Sequence, residues 1–232
     1  VMSRANLIRY QDTYAEQMDY IESYYDLLRS LDEYYTKTAE HHLSGIYDLD
    51  PDTIKKWYDQ ERGVQEDNVA RARQEARDLA EVMNQYTVGS EDWNNARLKV
   101  HDALIMEQEA IEAVVATYED RFSAIGDYYE KETSLVEHEI AMQEKRITEA
   151  HETTVDTARD AYAEMRKLTE QNLELTQKKL QDLIKTRDEA LSVDGLDEAS
   201  PKIKAMNLEI AQTEEELKDI ESTLTDIFDN LF

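Results

Sequence analysis

The 232-residue chain has only five glycines and two prolines, against usual levels of about 7% and 5%, so few chain reversals are encoded. Charged residues make up 34% and the aliphatics are scattered singly, which predicts long amphipathic helices. A formal net charge of −27 argues against nucleic-acid binding and against docking on anionic membranes, and the absence of cysteine excludes disulfides and thiolate metal sites.

The first predicted helix covers 3–42. Leu7, Tyr10, Tyr14, Gln17, Ile21, Tyr24, Leu28, Leu31, Tyr35, Thr38 and His42 alternate at spacings of three and four, the heptad seam of a left-handed supercoil. Tyr20, Tyr25 and Tyr34 lie off that line and suit a third helix or an outside partner. The first break holds Gly45 and Pro51, with Asp50 as cap and Pro51 as first helical residue. Asp48, Asp50, Asp52 and Asp59 stand there at calcium-loop positions one, three, five and twelve. Thr53 occupies the place of the obligatory glycine and no glutamate closes the loop, so the stretch reads as a capped turn.

A second helix over 51–87 carries a thin, alanine-rich stripe through Ile54, Trp57, Val64, Ala72, Ala76, Leu79 and Met83. Gly89 ends it, and Ser90 with Glu91 and Asp92 opens a third helix predicted to run to 191, about 150 Å if uninterrupted. Its stripe passes through Val100, Leu104, Ile111, Val115, Tyr118, Phe122, Ile125 and Tyr129, then weakens. Past Gly126 the seam must accept Glu132, Gln143 and Thr154 beside Val136, Ile140 and Ile147, and it recovers through Tyr162, Met165, Leu173, Leu180 and Leu183. Gly126 could mark a bend or an extra hairpin, but the helix is expected to continue across it, since a lone glycine costs only about 1 kcal/mol in a helix. The third break has Gly195 and Pro201, and a fourth helix at 201–231 resumes strict heptads from Ile203 to Leu231.

Short connections make successive helices antiparallel neighbours. The expected fold class is all-α: long antiparallel helices and coiled-coil hairpins, elongated. Residues 1–125 form an antiparallel three-helix bundle, 126–160 an extended helix and 161–232 a helical hairpin. The interval from about 130 to 160 has no intrachain partner in this scheme, so Val136, Ile140 and Ile147 become the expected partner-binding residues and a homo-oligomer is expected. A weak internal repeat at an offset of 105 residues links Arg97-Leu98-Lys99 with Lys202-Ile203-Lys204. "VMSR" at the start and "DNLF" at the end read as cuts through a longer chain.

Candidate chemistry is sparse. His138-Glu139 and His151-Glu152 lack the second histidine of a zinc helix, since Met142 and Val155 stand there. No histidine follows a glutamate at the Glu-x-x-His spacing. No glycine-rich phosphate loop or nucleophile elbow occurs. The expectation is a protein that is not an enzyme, without cofactor or metal, whose partners are proteins and neither nucleic acid nor membrane.

The segment "LAEVMNQYTVGSEDWNNARLKVHDALIMEQEAIEAV" at 79–114 is similar to repeats of tail tape-measure proteins of long-tailed bacteriophages. "IESYYDLLRSLDEYY" at 21–35 and "IGDYYEKETSLVEHEI" at 125–140 also resemble the Tyr-Tyr helix openings of that family. The chain departs from the family in lacking its apolar membrane-active segment and its peptidase or lytic modules, and in being far shorter. The resemblance implies a structural protein of the virion that lies in the tail tube and sets its length. Two rivals are a coiled-coil scaffold or spacer in a cellular, cytoplasmic assembly and a membrane-curvature or adaptor bundle. The acidic charge counts against the second.

Overall fold

The computed structural model describes residues 14–43, 50–149, 155–193 and 196–231. Among these the chain is all-helical: α1 Tyr14–Leu43, α2 Pro51–Met83, α3 Glu91–Glu149, α4 Val155–Ala190 and α5 Pro201–Leu231. The helix starts follow the local chemistry. Both carboxylate oxygens of Asp50 cap α2, one accepting from the Thr53 amide at 3.0 Å and the other from its hydroxyl at 2.9 Å. The Ser90 hydroxyl accepts from the Trp93 amide at 3.1 Å to open α3. Before α5 it is Asp197 that accepts from the Ala199 and Ser200 amides, and Pro201 begins the helix. Gly89 has φ of +83°, a left-handed backbone that favours glycine and ends the turn after α2.

The chain divides into two compact units within α3. The first unit takes α1, α2 from Lys55 onward and α3 as far as Thr117; the second takes the start of α2, α3 from Tyr118, and α4 and α5. In the first unit α1 and α2 run antiparallel, tied by Tyr25 to Asp78, Arg29 to Glu75 and Arg71 to Asp32. Arg73 with Glu107 ties α2 to α3, and Lys99 with Asp19 and Glu22 closes the triangle. Met18, Ile21, Tyr25, Ala76, Leu79, Val82, Ala96 and Ala103 fill the core. The alanines are what permit helices bearing tyrosines to approach closely.

In the second unit Tyr129 reaches Asp182, Arg121 reaches Glu189 and Lys179 lies between Glu130 and Glu216. As the α3 numbers rise, the α4 numbers fall, so these helices are antiparallel. The expected single helix over 90–191 is therefore corrected: α3 ends at Glu149 and α4 begins at Val155. The helix does continue through Gly126, where an added Cβ would lie 2.8 Å from Glu209 Oε1 of α5. Lys202 to Glu119 and Arg187 to Asn207 hold α5 against the other two helices. The inward face of α4 is half polar, with Thr169, Asn172, Thr176, Lys179 and Thr186 buried alongside Ala161, Met165, Leu168, Leu183 and Ala190. Thr169 and Thr186 donate to the carbonyls four residues back, which satisfies their hydroxyls without an outside partner.

The two units are built on one plan. Ile21, Tyr24, Tyr25, Asp78 and Leu79 recur 104 residues later as Ile125, Tyr128, Tyr129, Asp182 and Leu183. Each second tyrosine donates to its aspartate at 2.8 Å, and Ile21, Leu79, Ile125 and Leu183 are among the most buried side chains. In each pair the neighbouring tyrosine rings meet edge to face, at 5.2 Å and 5.1 Å between centroids.

Candidate protein-interaction surface

The α1 seam is rotated relative to the sequence expectation. Met18, Ile21, Tyr25 and Asp32 point inward, with the expected seam residues Tyr24 and Leu28 packed against that core; Tyr14 meets Tyr86 edge to face, while Leu31 and Tyr35 face outward. Leu7 and Tyr10 lie outside the described residues. The rotation follows from charge: turning Asp32 and Arg29 toward α2 brings them to Arg71 and Glu75. The remaining apolar residues of α1 then form an outer face of Leu27, Leu31, Tyr34 and Tyr35.

The three expected partner-binding residues fall in the second unit. Val136 is buried at 5% exposure, and Ile140 and Ile147 are half-buried. The expectation that this stretch lacks an intrachain partner does not hold where it is described. Tyr129 and Glu130, at its start, engage α4, and the Val136 side chain is packed within the chain. Leu135 and Met142 are the large apolar residues of α3 that face outward nearby.

Of the first-break aspartates, Asp50 and Asp59 make separate local contacts. Asp50 is used as the α2 cap and Asp59 pairs with Arg62 at 3.2 Å; Asp48 lies outside the described residues, as do the His41 and His42 side chains. No group of three or more candidate ligands that could hold a metal occurs among the described residues. A cavity of about 400 Å³ in the first unit is bordered by Arg29, Asp32, Arg71 and Glu75, whose charges are paired with one another. No helix among the described residues is long and apolar enough to cross a membrane.

Desolvation raises one glutamate carboxyl in each unit. Burial pushes the Glu75 carboxyl above its ordinary 4.5 and outweighs the Arg29 pairing that pulls it down. Burial does the same to Glu209, against the pull of Lys179. Burial, and then the hydrogen bond to Asp182, pushes the Tyr129 phenol upward. For Glu75 and Glu209 the folded chain holds protons that the unfolded chain releases. Their stabilising share is complete below 4.5 and is lost as pH rises through the raised folded values. The Asp50 cap has the opposite sign: its amide bonds hold the carboxyl below 3.8, and its share is lost only in stronger acid. The thermal midpoint is therefore expected to be higher near about pH 5 than near about pH 8, and Glu75→Gln should flatten part of that slope. A midpoint that climbs steadily toward pH 8 would contradict the assignment.

No family model matches the chain, and no curated protein matches it. Among the described residues the class defined by fold and surface is thus an all-helical protein of two three-helix units, one of which carries an apolar outer face.

Proposed function

We propose that the chain is a structural helical protein, acting through coiled-coil packing and surface contacts, and that it is part of a phage tail tape-measure protein that occupies the tail tube and sets its length. The observation that supports this reading is the reuse of one three-helix plan at an interval of 104 residues. Length-setting proteins work by adding like units in series, each helical residue contributing ~1.5 Å along its axis. The two Tyr-Tyr stretches that resemble the tape-measure family are the matched tyrosine pairs of the two units.

The test is an in-frame removal of residues 26–129, which joins Tyr25 to Glu130 in the repeat register. Tails assembled with the shortened chain should be shorter by ~50 Å, the length of a 33-residue helix in one three-helix unit, in electron micrographs. Tails of unchanged length would overturn the length-setting role. The second reading, a scaffold or spacer module in a cellular assembly, is favoured by the apolar outer face of α1, which suits a docking protein.

A further inference from the structure

We propose that the outer face of α1 is a docking site for an amphipathic helix of a protein partner that carries Lys or Arg along its flanks. The proposal rests on the reading that the chain works through protein contacts, and names the partner class. Leu27, Leu31, Tyr34 and Tyr35 are 62%, 48%, 68% and 58% exposed, and their spacing places them in one stripe two turns long. Isolated apolar residues on a surface need no explanation, but a contiguous stripe with two tyrosines has the composition of an interface centre.

The second unit supplies an internal control. At the equivalent positions, 104 residues on, stand Lys131, Leu135, His138 and Glu139. All four are exposed, and three of them are polar. At three of the four positions the three-helix plan is satisfied by polar residues, so Leu27, Tyr34 and Tyr35 are not required by the fold; Leu31 keeps an exposed leucine, Leu135, as its counterpart. Packing explains Ile21 and Tyr25; it does not explain Leu27, Tyr34 and Tyr35.

The surroundings fit a helix of opposite charge. Beside the stripe a groove of about 500 Å³ runs between α1 and α2, with Tyr24 and Leu28 on one wall and Ala70 and Gln74 on the other. Ala70 leaves room for a third backbone to approach, as in helix-in-groove recognition. The flanks are acidic on balance: exposed Asp67 borders the groove beside Arg71, and the Asp26 and Glu33 side chains are 69% and 73% exposed, Asp26 being paired with Arg29 at 2.5 Å. Lys37 is an exposed cation on this face, 3.8 Å from Glu33. A second copy of the chain would bring the same acids against themselves at a net charge of −27, which disfavours it as the occupant.

The probe is a helical peptide of roughly 18 residues with leucine at heptad core positions and lysine elsewhere, titrated by fluorescence anisotropy into the intact chain at physiological ionic strength. Leu27→Ser/Leu31→Ser should weaken binding about tenfold or more, whereas Leu208→Ser, which removes an exposed leucine of α5, should leave it within about twofold. A peptide with glutamate replacing lysine should bind at least about tenfold more weakly than the lysine peptide. Equal affinity of the double variant and the parent chain would overturn the site, and equal affinity of the two peptides would overturn the partner's charge. Self-association lost in the double variant, with no competition from the lysine peptide, would overturn the occupant in favour of a second copy. The replaced side chains are exposed, so the variants retain the fold; Tyr34→Ser/Tyr35→Ser tests the same face independently. These outcomes do not depend on tail length, so failure here is distinct from failure of the length-setting role.

Discussion

Leu183→Ala is expected to destabilise the chain by about 2–5 kcal/mol, and Leu79→Ala by a similar amount, because each leaves a cavity at a fully buried position of its unit. Leu79 is 1% exposed and Leu183 is fully enclosed. They are the same position in the two units, one residue beyond the aspartate that holds the buried tyrosine. Leu173 and Leu180 give the contrast, since a hydropathy pattern assigns them to the same seam although both are half-buried. Their alanine variants should lose about half as much or less, in proportion to the apolar area they remove from water. Urea unfolding measures all four. Equal losses at Leu180 and Leu183 would mean that α4 is turned differently from the orientation described.

The second large effect concerns the buried acid of the first unit. Arg29→Met is expected to lower stability by about 2–3 kcal/mol, because the Glu75 carboxylate then loses its charged partner. The Glu75 side chain is 3% exposed and that of Arg29 34%, so water still screens part of the pair and the figure lies at the low end for buried ion pairs. Arg29→Met/Glu75→Met should be close to neutral, since both the desolvation penalty and the attraction are removed together. A double variant as unstable as the single one would show that packing of the arginine stem, not charge, is what matters. The matched position in the second unit is Lys179, also buried, with Glu130 and Glu216 each at 3.9 Å. Opposite charges at one position of two like units disfavour exchange of helices between them, because a swapped helix would bury an uncompensated charge.

The helix content and the capped turns are legible in the sequence because they rest on local signals. Asp50 before Pro51, Ser90 before its acidic pair and the left-handed Gly89 each act within one turn of chain. The reversal between α3 and α4 is not legible. The residues from 150 to 154 contain neither glycine nor proline, and heptad spacing continues on both sides. Nothing local separates two antiparallel helices from one long one. Hydropathy misplaces the α1 seam for a different reason. That helix is apolar on two faces, and hydropathy does not choose between them. The choice is made by long-range ion pairs of Asp32 and Arg29 with α2. The same ambiguity hides the outer face. The similarity of "IESYYD" and "IGDYYE" holds the true repeat of 104 residues, while the offset of 105 comes from the last helices, where the turns differ in length. The expectation for Val136, Ile140 and Ile147 rests on a single long helix that leaves them uncovered, and Ile140 and Ile147 are half-buried. With α4 folded back, Val136 is a core residue.

The reversal between α3 and α4 shapes the whole second unit, and a spin-label distance across it reports whether it occurs. The chain has no cysteine, so Ser134→Cys/Gln177→Cys places one label at an exposed position of each helix. The labelled chain is diluted with unlabelled chain, so that only pairs within one molecule report. Antiparallel neighbours with axes ~8–10 Å apart predict a distance below about 30 Å once the label arms are included. A distance near ~65 Å, as a single helix through both positions would give at 1.5 Å per residue, would contradict the account.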